Sequence, residues 1–208
     1  MTRPAGILGH PPLVQWHTAA HAYGGAAVSG DLGVVAPWPG GVLAAVIDGL
    51  GHGPEAAAAT GAAEAVLRRR PGDAVTDLMA LCHAALHRTR GAVISLASFD
   101  AATVTWLGVG DVAGLLLRAE PRGLPAREAL LPRGGVVGYR LPPLRAATFP
   151  VHRNDVLVLA TDGIRTDFSQ GLGPDRPIEE IAAGILRDHG RANDDALVLV
   201  VQCVGMPP

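Results

Sequence analysis

Runs of apolar residues divide the chain into blocks of β and α character. "GAAVSGDLGVVA" and "GGVLAAVID" read as two strands joined by the turn-rich connector "PWPGG". From Pro54 the pattern changes. "PEAAAATGAAEAVLRRR" predicts a helix with proline in its first turn and Glu55 beside it, ending before Pro71 and Gly72. "DAVTDLMALCHAALHRT" predicts a second helix, because Val75, Leu78, Met79, Cys82 and Leu86 recur at helical spacing. After Gly91 the β pattern returns: "AVISLASFD", "TVTWLGVGD" and "VAGLLLR" predict a three-strand meander. Residues 119–145, rich in Pro, Gly and Arg, read as a long excursion. "DVLVLATDG" is an apolar strand, residues 177–189 form an amphipathic helix, and "DDALVLVVQCV" is a final strand. Grouped helices and consecutive strands predict an α+β fold with antiparallel sheets.

Composition narrows the chemistry. The 208 residues suit one domain, expected to span 1–208, and 49% hydrophobic against 17% charged residues argues for a globular chain. A formal net charge of −2, with no basic cluster beyond Arg68, Arg69 and Arg70, gives no nucleic-acid footprint. All 17 basic residues are arginine, so lysine chemistry is excluded: no P-loop lysine, Schiff base or lysine general base. Cys82 and Cys203 are unpatterned and read as small buried hydrophobes in a reducing compartment. The N-terminal "MTRPAGILGHPP" has no apolar core or cleavage signature, and no apolar stretch is long enough to span a bilayer. The expectation is a soluble, cytoplasmic protein with no membrane partner.

The candidate chemistry lies in the aspartates. "VIDGLGHGPEA" ends a buried strand on Asp48 and follows it with three glycines in five residues. Three readings compete: a phosphate-cradling loop, a metal-binding carboxylate, or a strand-to-helix turn. If residues 31–35 and 42–47 pair about "PWPGG", Asp31 lies opposite position 46 and Asp48 falls at the same end. Asp162 ends another strand and Asp194 opens the last one, so an antiparallel pairing would bring these two together as well. Single strand-end aspartates are common as caps and turn formers. Four of them at strand ends, without a Cys or His pattern, point to hard oxygen ligands for Mg²⁺ or Mn²⁺. Two such ions about 3.5–4 Å apart can activate a water and clamp a phosphoryl group. Gly49 and Gly163 each follow an acid, where a missing side chain admits a close approach. His52 is a candidate general acid for a leaving serine oxygen, with capping of the Pro54 helix as the alternative. His17 and His21 lie four apart but lack a zincin glutamate, and their segment reads as a strand.

These residues resemble the metal-dependent PPM/PP2C-type protein phosphatases, and within them the SpoIIE branch and its small RsbX-like stressosome phosphatases. The matching elements are "SGD" at Asp31, "VIDGLGHGPEAA" at Asp48, "GVGDVAGLLLR" at Asp111, "GGVVGYRLP" at 134–142, "NDVLVLATDGI" at Asp162 and "NDDALVLVV" at Asp194, in the family's order over about residues 24–202. The resemblance implies an α-β-β-α sandwich of two antiparallel sheets flanked by helices, with a binuclear Mn²⁺/Mg²⁺ centre at one edge. Asp48 would bridge both ions, the Gly49 carbonyl would help bind one, and Asp31, Asp162 and Asp194 would complete the set. Asp111 matches an acid that holds a third ion in many of these enzymes. Asp195 stands where the family has Asp or Asn after the last ligand. Leu197 departs from the usual small hydroxyl residue, which removes a hydrogen bond but no ligand. No arginine closely precedes Asp31, so phosphate binding would rest on the metals and on Arg133, Arg140 or Arg165.

The implied function is a serine/threonine phosphoprotein phosphatase that uses a metal-activated water. Its partner would be a phosphorylated STAS-type regulator of a stress-response or sigma-factor switch. Two other classes are weighed against it. One is a catalytically silent scaffold of the same fold, which loss of metal-ligand acids would signal. The other is a nucleotide-binding GHKL-type kinase, which would want D-x-G-x-G where this chain has D-G-x-G-x-G. The dinucleotide fingerprint fails too, because proline occupies position 54 where it needs glycine.

Overall fold

The computed structural model describes residues 13–205. The N-terminal stretch searched for a leader lies outside them. Ten strands form two five-stranded antiparallel sheets. β2 (Asp31–Trp38), β3 (Gly41–Gly49), β4 (Ala92–Phe99), β5 (Thr103–Val109) and β8 (Ala147–Pro150) lie side by side in that order. The second sheet is ordered β1 (Val14–His21), β10 (Ala196–Cys203), β9 (Val156–Ala160), β6 (Ala113–Leu117) and β7 (Arg127–Leu130). α1 (Pro54–Arg69) and α2 (Val75–Leu86) cover the first sheet, and α3 (Ile178–His189) covers the second. This is the α-β-β-α sandwich the sequence implied.

Three apolar layers hold it together. Between the sheets, Val46, Phe99, Val104, Leu116, Leu159 and Leu199 interdigitate. Leu43 and Ile47 point the other way, into a layer with Leu67, Leu78, Met79 and Leu86 of the helices. β3 is thus apolar on both faces, which is why it reads as a continuous run rather than an alternation. The third layer joins Val158, Val198 and Val200 to Ile181 and Ile185 of α3. Truncating any fully buried leucine here to alanine costs about 2–5 kcal/mol. Both cysteines are free and buried, and burial pushes each thiol up to about 12. Among the described residues, no helix is long and apolar enough to cross a membrane.

The structure corrects three expectations. The β2–β3 turn is only Pro39 and Gly40: Pro37 and Trp38 belong to β2, Gly41 to β3, and residues 26–30 precede the strand. The expected meander does not form. β4 and β5 pair, but β6 crosses to the other sheet, because Val112 is drawn into the layer between the sheets. The 119–145 excursion is not wholly irregular. It contains β7, bridges Ala92–Val137 and Val109–Arg133 pin its second half to the first sheet, and Val136–Arg140 closes a turn within it.

Candidate metal centre

The lengthened hairpin changes the register. Asp31 pairs directly with Asp48, not with Val46. The two carboxylates therefore face each other at the open end of the hairpin. The sheet crossover has a similar consequence. Asp111 sits in the step from β5 to β6, which carries it to the edge shared by both sheets. On the second sheet, Ala160 pairs with Val198, so Asp162, just past the end of β9, meets the segment leading into β10, where Asp194 and Asp195 lie. Asp48, Asp111 and Asp162 each offer a carboxylate oxygen within 4.8 Å of the others. Asp31 is 7% exposed and accepts a hydrogen bond from the Thr161 hydroxyl at 2.7 Å.

The electrostatics follow from this crowding. Burial, and then the charges of Asp31, Asp162, Asp111 and Asp194, push Asp48 up to about 9. Burial is also the first cause that lifts Asp31, to about 7, with Asp195 and Asp162 adding to it and the Thr161 hydroxyl opposing. Asp162 is raised by burial, Asp111 and Asp194, and partly relieved by the Arg191 guanidinium. Like charges gathered without a neutralising partner resist ionisation, and a bound cation removes that resistance. The donor set is carboxylate oxygen alone, two of the three clustered acids are exposed to solvent, and no thiol or imidazole belongs to the group. Such a set fits a hard divalent cation, Mg²⁺ or Mn²⁺, and does not fit zinc.

The glycines after the acids have a packing reason that sequence reading missed. A Cβ on Gly49 would sit 2.5 Å from the Ala56 carbonyl oxygen of α1, and one on Gly163 would sit 1.9 Å from the Asp195 carbonyl oxygen. Each glycine lets a neighbouring segment close against the acid before it. His52 does not cap α1. The cap position is Gly53, without a side-chain bond, and His52 is exposed and stacks against Tyr23. The Arg165 side chain is held by the Asp188 carbonyl and paired with Asp167, turned to the α3 end. Arg133 and Arg140 are exposed on the pinned excursion. His21, on a strand as expected, contacts the Arg191 carbonyl at 3.0 Å.

Three residues at this edge were not singled out from sequence: Thr161, Arg191 and Tyr23. Thr161 also accepts the Leu197 amide at 2.9 Å, so a hydroxyl just past the end of β9 serves the edge where Leu197 has none. The Arg191 amide donates to Gly163, which brings its charge beside Asp162. Tyr23 is brought to this edge by its amide's bond to Asp195, a contact spanning most of the chain.

Two antiparallel sheets between helices, with acids collected at one edge, define the PP2C-type phosphatase fold. The family profile described as Stage II sporulation protein E (SpoIIE) matches residues 39–204. The chain belongs to the SpoIIE family. A structure from work on the bacterial stressosome, as a modular system adapted to control secondary messenger signalling, is 28% identical with a TM-score of 0.81, over 91% of this chain and 99% of that one. RsbX in complex with magnesium is 21% identical with a TM-score of 0.81, over 91% and 95%. The Mycobacterium tuberculosis serine/threonine phosphatase PstP/Ppp is 15% identical with a TM-score of 0.70, over 91% and 98%, which shows likeness of fold. A search of curated proteins found no match. The ladders between strands are all antiparallel, so the parallel βαβ crevice of a dinucleotide-binding site is absent among the described residues.

Proposed function

We propose that this chain is a metal-dependent serine/threonine phosphoprotein phosphatase, a single domain over residues 1–208. The observation that carries the reading is the convergence of Asp48, Asp111 and Asp162 within 4.8 Å, with Asp31 facing Asp48 across the hairpin, in a member of the SpoIIE family. Asp31, Asp48, the Gly49 carbonyl, Asp162 and Asp194 would hold two Mg²⁺ or Mn²⁺ ions, and Asp111 a third. Bound ions would supply Lewis-acid stabilisation of a phosphoryl group and a water of lowered pKa.

The chain's own residues do the rest. Asp48, half-buried among other acids, is the carboxylate that would hold a cation at the centre of the group. Thr161 orients Asp31 through its hydroxyl. Arg191, beside Asp162, is positioned to draw the phosphate dianion toward the acidic edge. His52 is exposed four residues beyond Asp48 and makes no hydrogen bond among the described residues, which leaves its ring free to protonate the departing serine oxygen.

The partner would be a phosphorylated STAS-type component of a stress-response or sigma-factor switch, met in the cytoplasm. The likeness to a stressosome structure and to RsbX supports this choice. The test is phosphate release from a phosphoserine-bearing STAS protein, with Mn²⁺ or Mg²⁺ against a chelator, beside Asp162→Asn. The expected result is metal-dependent release that the variant loses. Absence of release at every metal concentration, from protein with a cooperative melting transition, would overturn the reading in favour of a silent scaffold.

A further inference from the structure

Beside the acidic edge, two loops meet through the one aromatic pair among the described residues. Tyr23 lies on a short 3₁₀ turn, Tyr23–Gly25, and its ring centroid is 4.9 Å from that of His52, with the planes inclined by 33°. This is ordinary aromatic contact distance. Packing does not explain where Tyr23 stands. The turn buries none of its residues, and Tyr23 is 41% exposed.

What fixes it is Asp195, which is 4% exposed. One carboxylate oxygen accepts the Tyr23 amide at 2.7 Å, and the other accepts the Gly30 amide at 2.7 Å. Both partners are donors, so a carboxylate satisfies both, whereas an amide would set its own NH₂ against one of them. Charge-assisted bonds of this length are the stronger kind. A buried carboxylate thus holds both ends of an exposed loop, and the product of that tether is one ring placed against His52. The imidazole has no hydrogen bond to a described residue, and it does not cap α1.

We propose that Tyr23 is a positioning residue that fixes the His52 ring beside the acidic edge, and that Asp195 is the clasp that holds Tyr23 in place. The proposal deepens the phosphatase reading and rests on it for its kinetic arm. Tyr23 acts through its ring face rather than its hydroxyl. Asp195 acts on the loop and not on a cation, although it adjoins Asp194.

The experiment has two arms on the full chain. In the first, the imidazole C–H resonances of His52, assigned by their loss in His52→Ala, are recorded by NMR. Tyr23→Ala should move them by removing the ring current, Tyr23→Phe should leave them near their wild-type positions, and Asp195→Asn should move them as Tyr23→Ala does. In the second, kcat and KM for the phosphoserine substrate are measured for Tyr23→Ala, His52→Ala and the double variant. Tyr23→Ala should lower kcat about tenfold with little change in KM. Tyr23→Phe should recover most of that loss, and Tyr23→Ala should add no further loss in the His52→Ala background. An unmoved His52 resonance in Tyr23→Ala, or equal losses in both backgrounds, would overturn the proposal. If wild-type protein turns over no substrate, the phosphatase reading fails, and the NMR arm still decides the positioning.

Discussion

Strand β9 has an aspartate at each end, Asp155 before Val156 and Asp162 beyond Ala160, and the fold treats them in opposite ways. Asp155 is fully buried and fully partnered. It accepts the Ala119 amide and the His152 amide at 2.9 Å each, and Arg118 lies 3.7 Å away. Arg118, itself 3% exposed, also bonds Glu128 and the Pro150 carbonyl. At the other end, Asp162 joins Asp31, Asp48, Asp111 and Asp194, where the acids outnumber the one guanidinium that bears on them. Both ends bury a carboxylate, Asp155 at one and Asp31 at the other, although Asp162 itself is exposed. One compensates the charge from within the chain, and that is architecture. The other leaves the compensation to something from outside, and that is a binding site. The difference separates a structural aspartate from a functional one better than burial does, since the structural one is the more buried.

The largest expected effect is on activity at the uncompensated end. Asp48→Asn should lower metal-dependent turnover on the order of a thousandfold, about 4 kcal/mol in the barrier, while the protein stays folded. Steady-state assays beside a melting curve check both halves. Second comes the compensated end. Asp155→Ala should cost about 1–3 kcal/mol of stability for each of the Ala119 and His152 amides it leaves without an acceptor, and it removes one of the two carboxylates beside Arg118. Denaturant unfolding measures this, and turnover per folded molecule should not change. Equal effects of both variants on stability would erase the distinction between the ends.

The third prediction concerns pH without metal. In the unfolded chain the carboxyls titrate near 3.8, whereas in the folded protein Asp31 titrates at about 7 and Asp48 at about 9. Between those limits the folded state keeps protons that the unfolded state has released. Chelator-treated protein should therefore lose stability as pH rises from about 4 to about 9, and Mn²⁺ or Mg²⁺ should reverse the loss at the alkaline end. Asp48→Asn, which resembles the protonated side chain, should flatten the upper part of that slope. Thermal melts from pH 5 to 9 test all of this. The smallest effect is at Thr161, which donates to Asp31 and accepts from Leu197. Thr161→Val should cost about 1–3 kcal/mol, read from denaturant midpoints, by leaving a buried carboxyl and a buried amide short of a partner.

The parts of this arrangement legible in sequence were local. The β2–β3 hairpin, the apolar β9 and β10, and all three helices follow from runs and periods within a dozen residues. The register did not, because Trp38 pairs with Gly41 across a two-residue turn that reads as a longer connector. The crossing of β6 was hidden for a related reason: Gly110, Asp111 and Val112 look like any hairpin turn, and only the burial of Val112 between the sheets shows that the chain changes layer there. The acids were visible as strand-end residues, yet their convergence depends on how two sheets stack. The Asp195 bonds to Tyr23 and Gly30 join residues more than 160 positions apart, and no local pattern announces them.

The most direct measurement of the central claim is a calorimetric titration of Mn²⁺ into chelator-stripped protein at pH 7.5, for wild type and Asp48→Asn, repeated in buffers of different ionisation heat. Saturable binding accompanied by proton release in the wild type, and lost or much weakened in the variant, is the predicted result, because Asp48 must shed a proton it holds up to about pH 9 before it can ligate a cation. Absence of binding in folded wild-type protein, or binding that Asp48→Asn leaves intact, would contradict the account.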